Sequence, residues 1–352
     1  MPGTMRQYRI ARQGSLDGLV AGVEEVPECG PRDLLVRVMA NSLNYRDLAI
    51  LLGHYGGPPV RERVVPLSDG AGIVVATGRD VSGYNAGDRV IGLFRQNWLG
   101  GRMPLRALDS DLGGSRDGML SEYVVLGEEG VSRVPAYLGY EEAATLPCAA
   151  LTAWNAATVG GPVAPGETVL VIGSGGVSLF ALQFARALGA TVIAVTSSQG
   201  KVERLLDAGA DHVVCAAGGA GWEKQVLELT GGRGVDRVFE TGGSGTLARS
   251  MEAAAVQARI VLIGVLAGNA LIDPLPILLK RLTVTAISTG SRQMQEDMLR
   301  AMEAWNLRPV IDARFPFEDA RDAYGYLRTG GHFGKVVIGR DYSDTTGENV
   351  AP

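Results

Sequence analysis

The 352-residue chain has little cysteine and no excess of positive charge. Its three cysteines, Cys29, Cys148 and Cys215, are odd in number and form no Cys-x-x-Cys pair. That excludes a disulfide framework and points to a reducing, cytoplasmic setting. Lys and Arg total 33 against 38 Asp and Glu, a net charge of −5 with no local basic cluster, so a nucleic-acid partner is not expected. The N-terminus lacks the apolar core of a signal peptide. Residues 143–166 and 168–185 carry no charge, but Pro147, Pro162, Pro165 and the glycines at 160–161 and 173–176 interrupt them. Buried core is the expectation there, and no membrane partner.

Glycine, by contrast, is abundant, with 49 residues; that is about twice the average of roughly 7%. No Gly-x-y period accompanies it, which excludes collagen. With 46% hydrophobic and 20% charged residues the chain reads as soluble and globular, long enough for about two domains.

The first third carries short apolar runs, Asp33–Met39, Ile73–Ala76, Asp88–Leu93 and Glu122–Leu126, separated by Gly, Pro and Asp turn signals. One helix, Tyr45–Leu51, interrupts them. From Thr168 the rhythm changes to strands alternating with helices. The strands are Thr168–Ile172, Thr191–Thr196, His212–Cys215, Arg237–Glu240, Arg259–Ile263 and Thr283–Ser288. Helices are expected over Val177–Leu188, Lys201–Ala208, Glu223–Thr230 and 246–255. This alternation predicts an α/β fold with a parallel, doubly wound sheet covered on both faces. Helix 294–305, strand Val310–Phe315, helix Phe317–Leu327 and strand Lys335–Ile338 complete the chain. Residues 341–352 read as a polar, disordered tail. A β-rich start resumed at the end suggests a discontinuous outer domain, with the ligand cleft between the two.

Directly after the strand Thr168–Ile172 stands Gly173-Ser174-Gly175-Gly176-Val177-Ser178, and a helix follows. The first glycine permits the tight turn, and the second lets the backbone approach a pyrophosphate held at the helix N-terminus. Strand, turn and helix fall in the order a dinucleotide site needs. Ser178 replaces the third small residue and is expected to loosen the packing of helix on strand. An acidic residue about 20 residues on would bind the ribose 2′-hydroxyl of NAD. Here the second strand ends Thr196-Ser197-Ser198-Gln199-Gly200-Lys201, with no carboxylate before Glu203. Hydroxyls and a lysine suit a 2′-phosphate, which favours NADP(H) over NAD(H); the competing reading is that Ser197 and Ser198 cap the next helix.

The segments "SLNYRDLAILLGHYGG", "PLSDGAGIVVATG", "AATLPCAALTAWNAA", "VLVIGSGGVSLFALQFARALGATVIAVTSS" and "GHFGKVVI" give the chain a resemblance to the medium-chain dehydrogenase/reductase superfamily over nearly its whole length. Within it, the chain looks like the zinc-free, quinone-oxidoreductase-like branch. The resemblance implies a GroES-like domain from 1–150 and 289–352 around a Rossmann dinucleotide-binding domain from 151–288. The family's catalytic zinc ligands would fall near Asn44–Tyr45, near Ser68–Asp69 and at Cys148. One thiol without two partners does not make the three-ligand zinc site that catalysis needs. The loop "FRQNWLGGRMPLRALDSDLGG", where a structural zinc would sit, holds no cysteine. No zinc is expected, and Cys148 reads as a small buried core residue.

The resemblance also places Asn44 and Thr152 near the nicotinamide, and Tyr55 where related zinc-free reductases carry a tyrosine. Its phenol would donate to an enolate oxygen or only wall the pocket. Thr241, Gly264, Val265, Phe333 and Lys335 are implied along the cofactor cleft, Lys335 either contacting cofactor or solvated. Asp47 and Asp69 read as loop-orienting helpers, His212 and His332 as structural. The implied activity is NADPH-dependent hydride transfer to a quinone or α,β-unsaturated carbonyl. A metal-free alcohol dehydrogenase or carbonyl reductase, and a non-catalytic NADPH sensor, stay open as alternatives. The apolar edge strand 282–289 points to a homodimer.

Overall fold

A computed structural model of the chain describes residues 3–264 and 271–340. An antiparallel hairpin pairs β1 (Thr4–Ile10) with β2 (Leu19–Glu25). Next come β3 (Asp33–Leu43), α1 (Tyr45–Leu52), β4 (Asp69–Thr77), β5 (Arg89–Gly92), β6 (Tyr123–Gly127) and β7 (Val131–Arg133). A short helix, α2 (Tyr140–Ala144), a π-helical turn (Leu146–Ala150) and α3 (Leu151–Thr158) lead away from them.

The strand–helix alternation follows as β8 (Thr168–Ile172), α4 (Gly176–Ala187), β9 (Thr191–Thr196), α5 (Val202–Asp207), β10 (His212–Cys215) and α6 (Trp222–Leu229). It continues with β11 (Val235–Glu240), α7 (Leu247–Ala253), β12 (Ala254–Leu262), α8 (Leu275–Lys280) and β13 (Thr283–Ala286). The six strands form one parallel sheet in the order β10-β9-β8-β11-β12-β13, the doubly wound arrangement. Its strands bury both faces, which is why they read as unbroken apolar runs. Leu170, Ile193, Val238 and Ile260 pack into one core, while Val169, Val192, Phe239 and Val261 pack into another.

The chain then adds α9 (Arg292–Ala304), β14 (Ile311–Pro316), α10 (Ala320–Arg328) and β15 (Lys335–Gly339). Strand β15 pairs antiparallel with β3 (Val336 opposite Leu43) and parallel with β14, so the chain's end joins its beginning in a sheet ordered β14-β15-β3-β4-β5-β7, with β6 on β3. The expected elements are found with shifts of a residue or two at most ends, but β3, β4 and β12 run four or five residues beyond the expected bounds, and β1, β2, β7, α2, α3 and α8 are additions to them. Helix α9 starts early because Ser291 caps it, accepting from the Met294 amide at 3.2 Å. The helix expected to run to 255 stops at Ala253, where β12 begins. Of the edge strand expected over 282–289, Thr283–Ala286 pairs regularly. Among the described residues no helix is long and apolar enough to cross a membrane. The tail from 341 and Val265 lie outside the described residues.

Candidate functional site

The nucleotide turn lies at the C-terminal end of β8, the central strand. Gly173 sits at φ 82°, a left-handed conformation that favours glycine. A Cβ on Gly175 would meet nothing nearer than His332 Nε2 at 3.9 Å, so the backbone there is open to a ligand. Gly176 is small for a different reason: its Cβ would lie 2.5 Å from Lys335 Cδ. Ser178 does not loosen the packing. It is buried, and its hydroxyl donates to the Ile172 carbonyl at 2.7 Å, tying helix to strand by a bond that the expected glycine lacks. Ser174 is buried, and its carbonyl accepts from Gly334 N–H at 2.9 Å, joining the turn to the segment before β15. Val177 stands in the first turn of α4.

A cavity of about 390 Å³ opens beside this turn, lined by Gly173, Thr196, Ser197, Trp222, Thr246 and Arg249 among others. Sequence reading singled out Thr196 and Ser197 but not Arg249, which comes from α7 and belongs to no motif. The Arg249 guanidinium donates to the Gly245 carbonyl at 3.1 Å and lies 3.9 Å from Glu223. Ser198 makes no side-chain cap, so the capping alternative fails for it; its amide donates to Thr196 Oγ1 at 3.2 Å. Lys201 is absent from the cavity lining. Its ammonium donates to the His332 carbonyl at 2.8 Å and to that of Gly330 at 3.4 Å, and burial lowers its pKa.

Next to the cavity, the buried Glu240 carboxylate accepts from the amides of Gly242 (2.8 Å) and Gly243 (3.0 Å) and from Thr246 Oγ1 (2.6 Å), shaping the loop after β11. Thr241 Oγ1 donates to the Ile172 carbonyl at 2.8 Å. A Cβ on Gly264 would stand 2.3 Å from the Thr241 carbonyl, so glycine there permits two strand ends to approach. Phe333 is buried, with the Arg204 guanidinium 4.1 Å over its ring.

The second half of the site gathers where β3 runs into α1. Lys335 is not solvated: it is 2% exposed, and its ammonium donates to the carbonyl of Leu43 at 2.7 Å and to Asn44 Oδ1 at 2.6 Å. The same ammonium lies 3.5 Å from Asp69 Oδ2. Asn44 Nδ2 donates to that carboxylate oxygen at 2.9 Å, and Ser68 Oγ donates to the other at 3.0 Å. Burial raises the Asp69 pKa, opposed by the Lys335 charge and the bonds from Asn44 and Ser68. Asp47 accepts from the Asn44 amide at 2.8 Å and fixes the start of α1; burial pushes its pKa up to about 6, against the pull of Arg46. Cys148 lies in the π-helical turn, its thiol pKa raised by burial and by Asp69. Thr152 is buried in α3.

Arg46 stands in the first turn of α1. Its guanidinium pairs with Asp111, donates to the Leu112 carbonyl at 3.0 Å and lies 3.6 Å from Asp47. Burial alone would lower its pKa, yet Asp47, Tyr55 and Asp111 hold it above its ordinary value. The guanidinium also underlies two aromatic rings, with centroids at 5.2 Å for Tyr55 and 4.7 Å for Phe94. Tyr55 folds so closely over Gly57 that a Cβ there would sit 2.3 Å from its Cζ. Among the described residues no three His, Cys, Asp or Glu side chains converge as a metal site.

Two family models match the chain: an alcohol dehydrogenase GroES-like domain over residues 30–136 and a zinc-binding dehydrogenase over 176–304. A zinc-type alcohol dehydrogenase-like protein of Schizosaccharomyces pombe is 42% identical over 89% of this chain and 93% of its own. The 2-methylene-furan-3-one reductase of Solanum lycopersicum is 31% identical over 96% of this chain and 80% of its own. A solved structure from Sinorhizobium meliloti, provisionally named an alcohol dehydrogenase, is 41% identical with a TM-score of 0.90, covering 96% of this chain and 99% of that one. The chain belongs to the medium-chain dehydrogenase/reductase superfamily, as an oxidoreductase whose GroES-like and Rossmann-type sheets bring together a nicotinamide-nucleotide turn and a buried Lys–Asn–Asp cluster.

Proposed function

We propose that the protein is a zinc-independent, NADPH-preferring reductase of α,β-unsaturated carbonyl compounds or quinones. The observation that carries this reading is the Lys335 ammonium seated between Asn44 and Asp69. Those two residues stand where the family resemblance puts two zinc ligands. A Zn²⁺ there would face the Lys335 ammonium already paired with Asp69, a Cys148 thiol that burial keeps protonated, and in Asn44 a neutral amide where the metal needs a third imidazole, thiolate or carboxylate donor. The residues present do not fit the metal, and no step is assigned to it.

The residues do fit a dinucleotide. Gly173 and Gly175 leave the backbone open, the N-terminus of α4 offers unpaired amides to a diphosphate, and His332 Nδ1 is a buried polar atom without a partner. Ser197 and Arg249 line the cavity at the adenosine end, where a cation suits a 2′-phosphate better than a free hydroxyl; Lys201, outside that lining and held by the Gly330 and His332 carbonyls, adds its charge from farther off. When bound, a reduced nicotinamide supplies the hydride.

The chain's own task is to hold the acceptor carbonyl and neutralise charge that develops on its oxygen. Asn44 is oriented for this, because its Oδ1 faces Lys335 and one Nδ2 hydrogen faces Asp69, which leaves the second hydrogen free to donate. Tyr55 supplies the proton from its phenol, with its ring held between Arg46 and Gly57. Thr152, Thr241, Gly264, Phe333 and Val265 belong to the cofactor side in this reading. The enone assignment draws support from the tomato relative, whose named substrate is a methylene ketone. We further propose a cytoplasmic homodimer that pairs through the edge strand β13.

A panel of quinones, enones, aldehydes and alcohols followed at the nicotinamide absorbance band tests the reading, alongside metal analysis. Turnover of enones or quinones that survives chelation supports it. One zinc per chain with activity lost on chelation, or turnover confined to alcohols, overturns it.

A further inference from the structure

We infer that Arg46 is a positioning residue for the proton-transfer step: a guanidinium aimed by Asp111, whose charge steadies the phenolate left on Tyr55. The inference rests on the reading above that Tyr55 gives its proton to the reduced acceptor. It adds the group that stabilises the ring once that proton has gone.

The three residues come from separate parts of the chain. Arg46 stands in the first turn of α1, Tyr55 follows that helix, and Asp111 lies in the long connection between β5 and β6. Asp111 is 1% exposed and is itself fixed. Ser115 Oγ donates to its Oδ1 at 2.7 Å, which leaves Oδ2 to pair with the Arg46 guanidinium. A Cβ on Gly114 would stand 2.2 Å from that Oδ2 and 2.7 Å from Arg46 Nη2, so the pair needs a residue without a side chain at 114. The Leu112 carbonyl accepts from Nη1 at 3.0 Å, and Asp47 lies 3.6 Å from the same nitrogen. Hydrogen bonds to a guanidinium lie in its plane, and here they use the Nη edge. They hold the cation over the Tyr55 ring, 5.2 Å from its centroid. Arg46 Nε is buried and finds no acceptor among the described residues, so hydrogen bonding alone does not offset the cost of burying the group.

The charge matters at one moment of the reaction. The β-carbon of an enone gains the hydride, the C=C electron pair shifts toward the carbonyl, and an enolate results. The Tyr55 O–H bond then breaks, its proton passes to the enolate, and its electron pair stays behind as phenolate. Water returns the proton once product has left. Before the transfer Arg46 meets the quadrupole of a neutral ring; afterwards it meets a full negative charge, in a site where its own side chain is 10% exposed. An interaction that strengthens as the proton leaves lowers the barrier, whereas one of constant strength does not. Burial disfavours the guanidinium charge, but Asp47, Tyr55 and Asp111 outweigh it, so the cation is present at every stage.

The test follows steady-state enone reduction at the nicotinamide absorbance band, in H₂O and in D₂O. It compares wild type, Tyr55→Phe, and the pair Arg46→Gln with Asp111→Asn. The paired substitution does not leave Asp111 as a buried, unpaired carboxylate. Thermal unfolding and fluorescence titration with NADPH check the fold and cofactor binding. Neutralising the pair should lower kcat about tenfold, the scale of a desolvated cation–ring contact, with KM and NADPH affinity unchanged. The solvent isotope effect on kcat should rise, because proton transfer has become slower. Built into Tyr55→Phe, the same paired substitution should lower kcat by less than about twofold, since the two changes act through one group. Arg46→Lys, which keeps the charge but not the flat group over the ring, gives the same comparison in a milder variant: a partial loss with Tyr55 present and none without it. A tenfold loss that persists in the Tyr55→Phe background overturns the inference, because Arg46 then acts by another route. A neutral pair that turns over like wild type overturns it as well. Wild-type turnover in Tyr55→Phe overturns the reading of Tyr55 as proton source, and the inference with it.

Discussion

The Lys335 ammonium and the Asn44 side-chain oxygen stand 2.6 Å apart although 291 residues separate them in the chain. Asp69 closes the triangle, 3.5 Å from the ammonium and 2.9 Å from the Asn44 amide nitrogen. Each member fixes the others, so the cluster is a single rigid unit. Removing the cation leaves a buried carboxylate uncompensated, which costs about 3–5 kcal/mol. Lys335→Met should therefore lower the unfolding free energy by that amount in urea titrations. The double variant Lys335→Met with Asp69→Asn should recover much of the loss. A double variant as unstable as the single one would show that packing of the lysine stem, not charge, holds the site.

Tyr55 depends on two neighbours: Arg46 beneath its ring and Gly57, which has no side chain to displace it. Tyr55→Phe keeps the ring and removes the proton, so kcat for enone reduction should fall about a hundredfold. Binding of NADPH, measured by nucleotide fluorescence, should stay unchanged. Gly57→Ala should produce a similar loss with the phenol still present, because the new Cβ pushes the ring from its seat. Unchanged turnover in Tyr55→Phe would leave the ring only as a wall of the pocket.

How much of this was legible in the sequence follows from the range of each interaction. The β8–turn–α4 unit was legible because strand, glycines and helix are contiguous, and so was a parallel, doubly wound sheet once alternation was recognised, though the order of its strands was not. Asn44, Tyr55 and Lys335 could be named through resemblance, but nothing local says that a lysine preceding β15 reaches back to the end of β3. The Ser178 hydroxyl bond to Ile172 was invisible because composition records only that serine is larger than glycine. Arg249 was missed for want of any signal: its neighbours in sequence form an ordinary amphipathic helix, and only the fold of α7 brings it to the cavity shared with Ser197.

That cavity makes cofactor preference testable. Arg249→Ala removes the cation that lines it, and Lys201→Ala removes the ammonium that stands outside the lining on the Gly330 and His332 carbonyls. Each should weaken NADPH by about tenfold, the scale of one charge-assisted hydrogen bond, and NADH by far less. Dissociation constants for both nucleotides, taken at one ionic strength, decide the matter. Equal losses for NADH and NADPH would remove the 2′-phosphate from the argument.

Asp47 gives the fold a pH signature. Its folded pKa of about 6 lies above the ordinary 3.8, because burial disfavours the charged form. The native state thus holds this proton more tightly than the unfolded chain. The resulting contribution to stability is fully present below about pH 4 and is lost as pH rises through about 6. Asp47→Asn lacks that titration. Its unfolding free energy relative to wild type should therefore improve between pH 4 and pH 7, by up to ~3 kcal/mol. Urea unfolding across that range measures it, and a flat difference would place the Asp47 pKa near its ordinary value.

Strand β13 has β12 on one side and no partner on the other among the described residues, and open edges of this kind pair readily. Beside it, α8 turns Leu278 and Leu279 outward at 73% and 70% exposure, with Leu275 also exposed. Single exposed leucines are ordinary, but a group of them next to an open strand marks an interaction surface. A second copy of the chain presents the same edge, so a two-fold pairing would extend the sheet and cover the leucines of both copies. Light scattering on the purified protein should give twice the chain mass of 37.0 kDa. Leu278→Glu with Leu279→Glu should shift it to a single chain mass while NADPH still binds, because the nucleotide turn lies at the centre of the sheet. A wild-type protein that elutes as a single chain at micromolar concentration would remove the dimer from this account.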